Sequence, residues 1–300
     1  MGSKGSHHPP SQGASKAKLN DSATNMRNES LSVDPPSTVL FPELVPFNIQ
    51  HSDIQFLRQI SRGQYGSTWC GQFNNRPVAV KVSSPWDDYA FRMAKQIQVM
   101  ARIQSPNIVC FLGATWTSAN DLSAVVEYMR GGSLRDLLGN SKVDLSWPVE
   151  KINVALDIAK ALAYLHSLTP PFILANLDSK RVFLSGMMVA KLSNFRVDRQ
   201  NDVDPTMCSA IPNTVRWNSP EVILGKAFTE AADVYSLGVI LSEMDTRKIP
   251  FWDCTNTVRI MTEIARGSLK PAFQPTCPAP VRHVADACLQ FDPNLRPSSA

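Results

Sequence analysis

The sequence predicts an α+β chain in which a small β-rich lobe precedes a larger helical one. Three observations carry this. Between Phe47 and Val82, short apolar runs alternate and are punctuated by Gly and Asn/Pro turns. Beyond Gly131 the apolar spacing changes to every third or fourth residue. The chain has 300 residues, 43% of them apolar, which suffices for two lobes at roughly 150 residues per domain. The same figures exclude a wholly disordered chain. A mild, scattered net charge of +4 argues against a nucleic-acid partner. No apolar run reaches the ~18 residues of a transmembrane segment, and the start lacks the apolar core of a secretory signal.

Taken in order, Ile54-Gln55-Phe56-Leu57 reads as a strand, then a Gly-containing turn, then Ser67-Thr68-Trp69-Cys70. Asn74-Asn75-Arg76-Pro77 turns the chain into the strand Val78-Ala79-Val80-Lys81-Val82. Tyr89, Met93, Ile97, Met100 and Ile103 recur at helical spacing and predict a helix over 87–103. A strand pair follows at 108–116 and 124–127. Ser146-Trp147-Pro148 opens a helix, with Pro near its first turn. Its predicted core face is Ile152, Leu156, Ala159, Ala163 and His166. Val234–Met244 is almost wholly apolar and predicts a central helix.

Residues 1–47 are rich in Ser, Pro and Asn and show no period, so a disordered tail is expected, with the folded domain over 48–300. The opening Met1-Gly2-Ser3-Lys4-Gly5-Ser6 fits the pattern for N-myristoylation of Gly2. A single acyl chain would give marginal membrane association. The six cysteines, at 70, 110, 208, 254, 277 and 288, form no CxxC pair. Without an export signal they read as reduced thiols, which implies a cytoplasmic location.

Several motifs share one order and spacing. The Gly turn Ser61-Arg62-Gly63-Gln64-Tyr65-Gly66 precedes Val78-Ala79-Val80-Lys81. Ser219-Pro220-Glu221 follows Thr214-Val215-Arg216-Trp217-Asn218, then come Asp233-Val234-Tyr235-Ser236-Leu237-Gly238 and Asp292-Pro293-Asn294-Leu295-Arg296-Pro297. Over residues 54–300 this resembles the protein kinase superfamily, in particular its tyrosine-kinase-like, Raf-like group. The resemblance implies a bilobal kinase fold, with an N-lobe over 48–129 and a C-lobe over 130–300. The family continues with one more helix beyond the position of Ala300, so a missing final helix is implied.

The resemblance also assigns the site, and there the chain departs from the family. Gly63 and Gly66 match two loop glycines that let backbone N–H groups approach phosphate, while Ser61 replaces the first. Lys81 matches the lysine on the α/β-phosphates, but its glutamate partner falls on Gln96. Glu127-Tyr128-Met129 is the implied hinge, with Val126 beside the adenine pocket and Phe183 in its floor. The catalytic loop H-R-D-L-K-x-x-N falls on Leu174-Ala175-Asn176-Leu177-Asp178-Ser179-Lys180-Arg181. Asn176 therefore replaces the general base. Arg181 and Asn194 occupy the two metal positions and are both poor ligands for a hard dication. Asp178 is a candidate displaced base, and Arg181 a candidate replacement for the metal's charge. Ala175 has lost the arginine that reads a phosphorylated activation loop. Thr206, Ser209 and Thr214 remain modifiable, and Thr214 is counted with the catalytic set.

The folding residues by contrast persist. Asp233 matches the brace of the catalytic loop, Glu221 and Arg296 match a buried ion pair, and Met100, Leu174 and Phe195 match a spine between the lobes. The expected function is therefore that of a pseudokinase, an allosteric or scaffolding module whose partner is a related active kinase or another signalling protein. ATP binding would be weak and independent of magnesium. The alternatives are a weak or unorthodox ATP-dependent protein kinase, Ser/Thr or Tyr, and a non-catalytic nucleotide-binding switch.

Overall fold

The structure is a computed structural model. It describes residue 2 and residues 40–63, 66–84, 87–118, 120–193, 215–227 and 229–299. Asn194, Phe195, Thr206, Cys208, Ser209 and Thr214 lie outside the described residues, as does nearly all of the expected tail. The chain divides between Asp34 and Pro35, and the second unit, Pro35–Ala300, carries all of the secondary structure among the described residues.

Its small lobe is a five-stranded antiparallel sheet of order β1-β2-β3-β5-β4. The strands are β1 (Ile54–Gly63), β2 (Gly66–Phe73), β3 (Arg76–Ser83), β4 (Phe111–Thr115) and β5 (Ser123–Glu127). Asn74 and Asn75 adopt φ of 50° and 59° between β2 and β3, the left-handed pair that a two-residue hairpin needs. One helix, α1 (Asp87–Met100), follows β3. It buries Ala94, Ile97 and Met100, one face at helical spacing.

The tail boundary needs correction. Pro42–Phe47 forms a 3-10 turn, and Leu44 within it is completely buried. Phe41 packs edge-on to Trp116 with ring centroids 5.7 Å apart, and Phe47 packs on Phe111 at 5.9 Å. Ile49 N–H donates to Ala114 C=O at 2.7 Å. This strap covers β4 and touches α1, so the ordered domain starts before residue 48.

The large lobe is helical. It contains α2 (Leu134–Gly139), α3 (Ile152–His166), the two-stranded ribbon β6 (Val182–Leu184) and β7 (Ala190–Leu192), α4 (Pro220–Ile223), α5 (Glu230–Thr246), α6 (Thr257–Ala265) and α7 (Ala279–Cys288). Ser133 and Asp136 close a capping box on α2. The five residues Trp147–Lys151 form a π turn that leads into α3. The expected core face of α3 is offset. Val154, Ala155, Ile158, Ala161, Leu162 and Leu165 are buried, while Leu156 is 48% exposed. Only His166 of the predicted stripe is buried. Residue spacing reports the period of a helix but not which of its faces the neighbouring elements cover.

Helix α5 is buried on every side, as its composition predicts. Arg247, left-handed at φ 58°, caps its end. The Arg247 guanidinium donates to the carbonyls of Val143 at 2.7 Å and Asn140 at 2.5 Å. The core joins both lobes, running from Leu44 and Ile97 through Leu174 to Tyr235 and Leu289. The thiols of Cys70, Cys110, Cys254, Cys277 and Cys288 are free. No described helix is long and apolar enough to cross a membrane.

Candidate functional site

Between the sheet and α2 lies a cavity of about 550 Å³, within the usual range for small-ligand sites. Its apolar lining includes Ala79 from β3, Val109, Val126 from β5, Met129 and Phe183 from β6. Phe183 lines the space without filling it. Glu127 is the last residue of β5, and its carboxylate accepts from the Cys110 N–H at 2.7 Å and from Lys191 Nζ at 2.7 Å. The hinge residues are thereby fixed against the large lobe.

Lys81 sits on β3 opposite Thr68 of β2 and Ala124 of β5. Its Nζ donates to Ser193 Oγ at 3.0 Å, across 112 residues of sequence. Gln96, the position of the family's carboxylate partner, makes no hydrogen bond with Lys81 among the described residues. Burial, followed by the nearby Arg181 charge, pulls the Lys81 ammonium down from 10.5 to about 8. Gly66 turns at φ 140°, and a Cβ there would meet Val82 O at 2.0 Å, so only glycine fits. Gly63 shows no such demand, since a Cβ there meets nothing within 4 Å.

The catalytic loop is held from below. Asp233 on α5 accepts from Leu174 N–H through Oδ2 at 2.8 Å and from Ala175 N–H through Oδ1 at 2.8 Å. His166 Nε2 meets Asp233 Oδ2 at 3.0 Å. Ala175 is left-handed at φ 55°, which costs about 1–3 kcal/mol and persists only when surroundings impose it. Asn176 follows, 4% exposed. Neither its Oδ1 nor its Nδ2 has a hydrogen-bond partner among the described residues.

Asp178 is buried and engaged. Its Oδ1 accepts from Lys180 N–H at 2.8 Å and its Oδ2 faces Arg181 Nε at 3.4 Å. Arg181 C=O in turn accepts from Ser193 N–H at 3.1 Å, which brings residues 178–181 alongside the Lys81 contact. Ser179 Oγ donates to Glu243 at 2.8 Å, and the same carboxylate receives Arg135 Nη1 at 2.5 Å and Trp217 Nε1 at 2.9 Å. Burial holds the Glu243 carboxyl above the usual carboxylate range, although Ser179, Arg135 and Trp217 act against it.

The structure thus gathers Lys81, Val126, Glu127, Met129 and Phe183 around one cavity; Asn176, Asp178 and Arg181 do not line it, and Asp178 and Arg181 connect to it through Lys180 and Ser193. Sequence reasoning missed Ser193 and Glu243. Ser193 carries no local signal, and Glu243 lies in the almost wholly apolar run Val234–Met244, which gave no reason to single it out. The apolar cleft and its hinge suit a nucleotide. Among the described residues no group of three or more His, Cys, Asp or Glu is placed to hold a metal, and a guanidinium stands at a metal position.

A family model for protein tyrosine and serine/threonine kinases matches residues 54–300. The chain is similar to "Probable serine/threonine-protein kinase drkC" of Dictyostelium discoideum, 30% identical over 262 residues, covering 85% of this chain and 34% of that protein. It is also similar to "Dual specificity protein kinase shkA" of the same organism, 29% identical over 262 residues, covering 85% of this chain and 49% of that protein. The chain therefore spans less than half the length of these curated relatives. With the matched span, the five-stranded small lobe and the helical large lobe in agreement, this chain belongs to the protein tyrosine and serine/threonine kinase family.

Proposed function

We propose that this is a kinase-fold domain that has lost phosphoryl transfer and serves as an allosteric or scaffolding module, its partner a related active kinase or another signalling protein. The observation that carries this reading is Asn176. It stands at the position of the general base, on a loop still braced by Asp233, and its amide is buried without a hydrogen bond among the described residues. An amide does not accept the substrate proton, and loss of a general base costs about 10²–10⁴ in rate. The guanidinium of Arg181 in place of a metal ligand removes further stabilisation of phosphate charge.

A second reading, an ATP-dependent protein kinase of low activity, is favoured by the names of the relatives, which are kinases. Lys81 and the open cavity also support it. It requires Asp178 to act as base, and Asp178 would first have to leave Lys180 N–H and Arg181. The test is transfer of labelled phosphate from ATP by purified protein, with Lys81→Ala and Asp178→Asn in parallel. Equal background in all three supports the first reading. Transfer that disappears in both variants establishes the second.

A further inference from the structure

We propose that the outward face of α3 joins a second copy of this chain as a twofold, antiparallel helix pair. None of the residues involved lines the cleft, so this surface is independent of the nucleotide reading. The inward face of α3 buries Val154, Ile158, Ala161 and Leu165. A helix that packs on one side only is expected to be polar on the other. Here the opposite face carries Ile152, Leu156, Ala159 and Ala163. Leu156 is 48% exposed, and the other three are half-buried. The turn between β6 and β7 widens this apolar area with the exposed side chains of Met187 and Val189. It lies beside α3 because Asp157 Oδ2 accepts from Ala190 N–H at 2.9 Å. Helix α3 therefore keeps an apolar stripe that the fold of one chain leaves partly open to solvent.

Two features select a second copy as the occupant. The first is size. The stripe steps by four, three and four residues, the spacing of an a/d seam between paired helices. A dyad midway between Asp157 and Ile158 sets Leu156 of one copy against Ala159 of the other, and Ile152 against Ala163. Every large side chain then meets a small one, and the two helices interdigitate along the seam. The second feature is charge. Lys160 is exposed and makes no ion pair among the described residues. Asp157 Oδ1 accepts no hydrogen bond among the described residues, since only Oδ2 is used by Ala190. The same dyad brings Lys160 of each copy to Asp157 of the other, giving two equal pairs at the rim. A partner of different sequence requires no such symmetry of size and charge about one point. Helix α3 has 15 residues and is about 22 Å long. The contact is thus at the small end of specific interfaces, and a dissociation constant in the micromolar range is expected.

The test is sedimentation equilibrium of the full chain from about 1 to 100 µM, a range that brackets such a contact. A monomer–dimer equilibrium is expected. Leu156→Asp is expected to abolish it, because it places a carboxylate from each copy in the apolar seam. Leu156→Ala and Ala159→Leu, made singly, are each expected to weaken it about tenfold, the first by leaving a void and the second by overfilling the seam. The double exchange Leu156→Ala/Ala159→Leu sets large against small again and is expected to bring the dissociation constant back to within about threefold of the starting value. A chain that stays monomeric throughout overturns the inference. A dimer that Leu156→Asp or the single exchanges leave intact also overturns it, as does failure of the double exchange to recover what the singles lose. Urea unfolding checks that each variant is folded, and if Leu156→Asp is not, the size exchange alone decides. Phosphate transfer is not read in this experiment, so its failure leaves the proposed function standing.

Discussion

Arg296 and Arg181 both face a carboxylate, and their situations differ in every other respect. Arg296 meets Glu221 bidentately at 2.6 and 2.8 Å, donates to the carbonyls of Ala231 and Gln290 at 2.8 Å each, and lies 5.0 Å over the Tyr235 ring. Arg181 meets Asp178 at 3.4 Å through Nε, on the loop that also carries the Asn176 amide, which has no hydrogen bond among the described residues. The first region is built to satisfy every charge it buries. The second braces its backbone on Asp233, while the Asn176 amide on the same loop has no hydrogen-bond partner among the described residues. A fold can therefore hold a catalytic loop in place for reasons independent of catalysis, since the Asp233 brace also fastens α3 through His166 to α5.

This comparison can be broken by measurement. Arg296→Met leaves the Glu221 carboxylate buried and unpaired, so unfolding in urea is expected to show a loss of about 3–5 kcal/mol. A loss under about 1 kcal/mol would mean the pair is ornamental. Leu44→Ala in the strap is expected to cost about 2–5 kcal/mol by the same measurement, because the site is fully enclosed. A neutral result would place the strap outside the cooperative unit. Asn176→Leu runs the other way. It removes a buried, unsatisfied amide at similar volume, so the unfolding midpoint is expected to rise, by about 1 kcal/mol of stability. A clear loss would show that the amide has a partner in solution.

These expectations also mark how far the sequence could be read. Helix α5 was legible because Val234–Met244 is almost wholly apolar, and β3 because Val78-Ala79-Val80-Lys81-Val82 lies between turn signals. The strap was not. Pro42 and Pro46 follow a Ser/Pro-rich stretch and read as linker, yet a 3-10 turn accepts them. Its burial depends on Phe111 and Trp116, which lie far along the chain. At the site, the family resemblance put Asn176 and Arg181 at the base and metal positions. The contacts of Lys81 with Ser193 and of Asp178 with Arg181 were not, because they depend on how the loop is folded.

The smallest expected effect concerns pH. Burial and the Arg181 charge bring the Lys81 ammonium down to about 8. A polyphosphate prefers the protonated form, so its affinity is expected to be full well below that value and to fall as pH rises through it. About half a pH unit above it the loss would be about fourfold if only the ammonium form binds. Lys81→Arg should keep its affinity over the same interval, since an arginine does not titrate there. Equal curves for the two proteins would assign the pH dependence to another group.

The tie from Lys191 on β7 to Glu127 at the end of β5 has a kinetic consequence. Glu127 also holds the Cys110 N–H, so one carboxylate fastens both sides of the joint. Any swing that widens the cleft must stretch a 2.7 Å ion pair that is only partly exposed. Entry and escape of a bound molecule would then be throttled together. The residence time would respond to ionic strength more than the affinity does, and Lys191→Met would speed both arrival and departure.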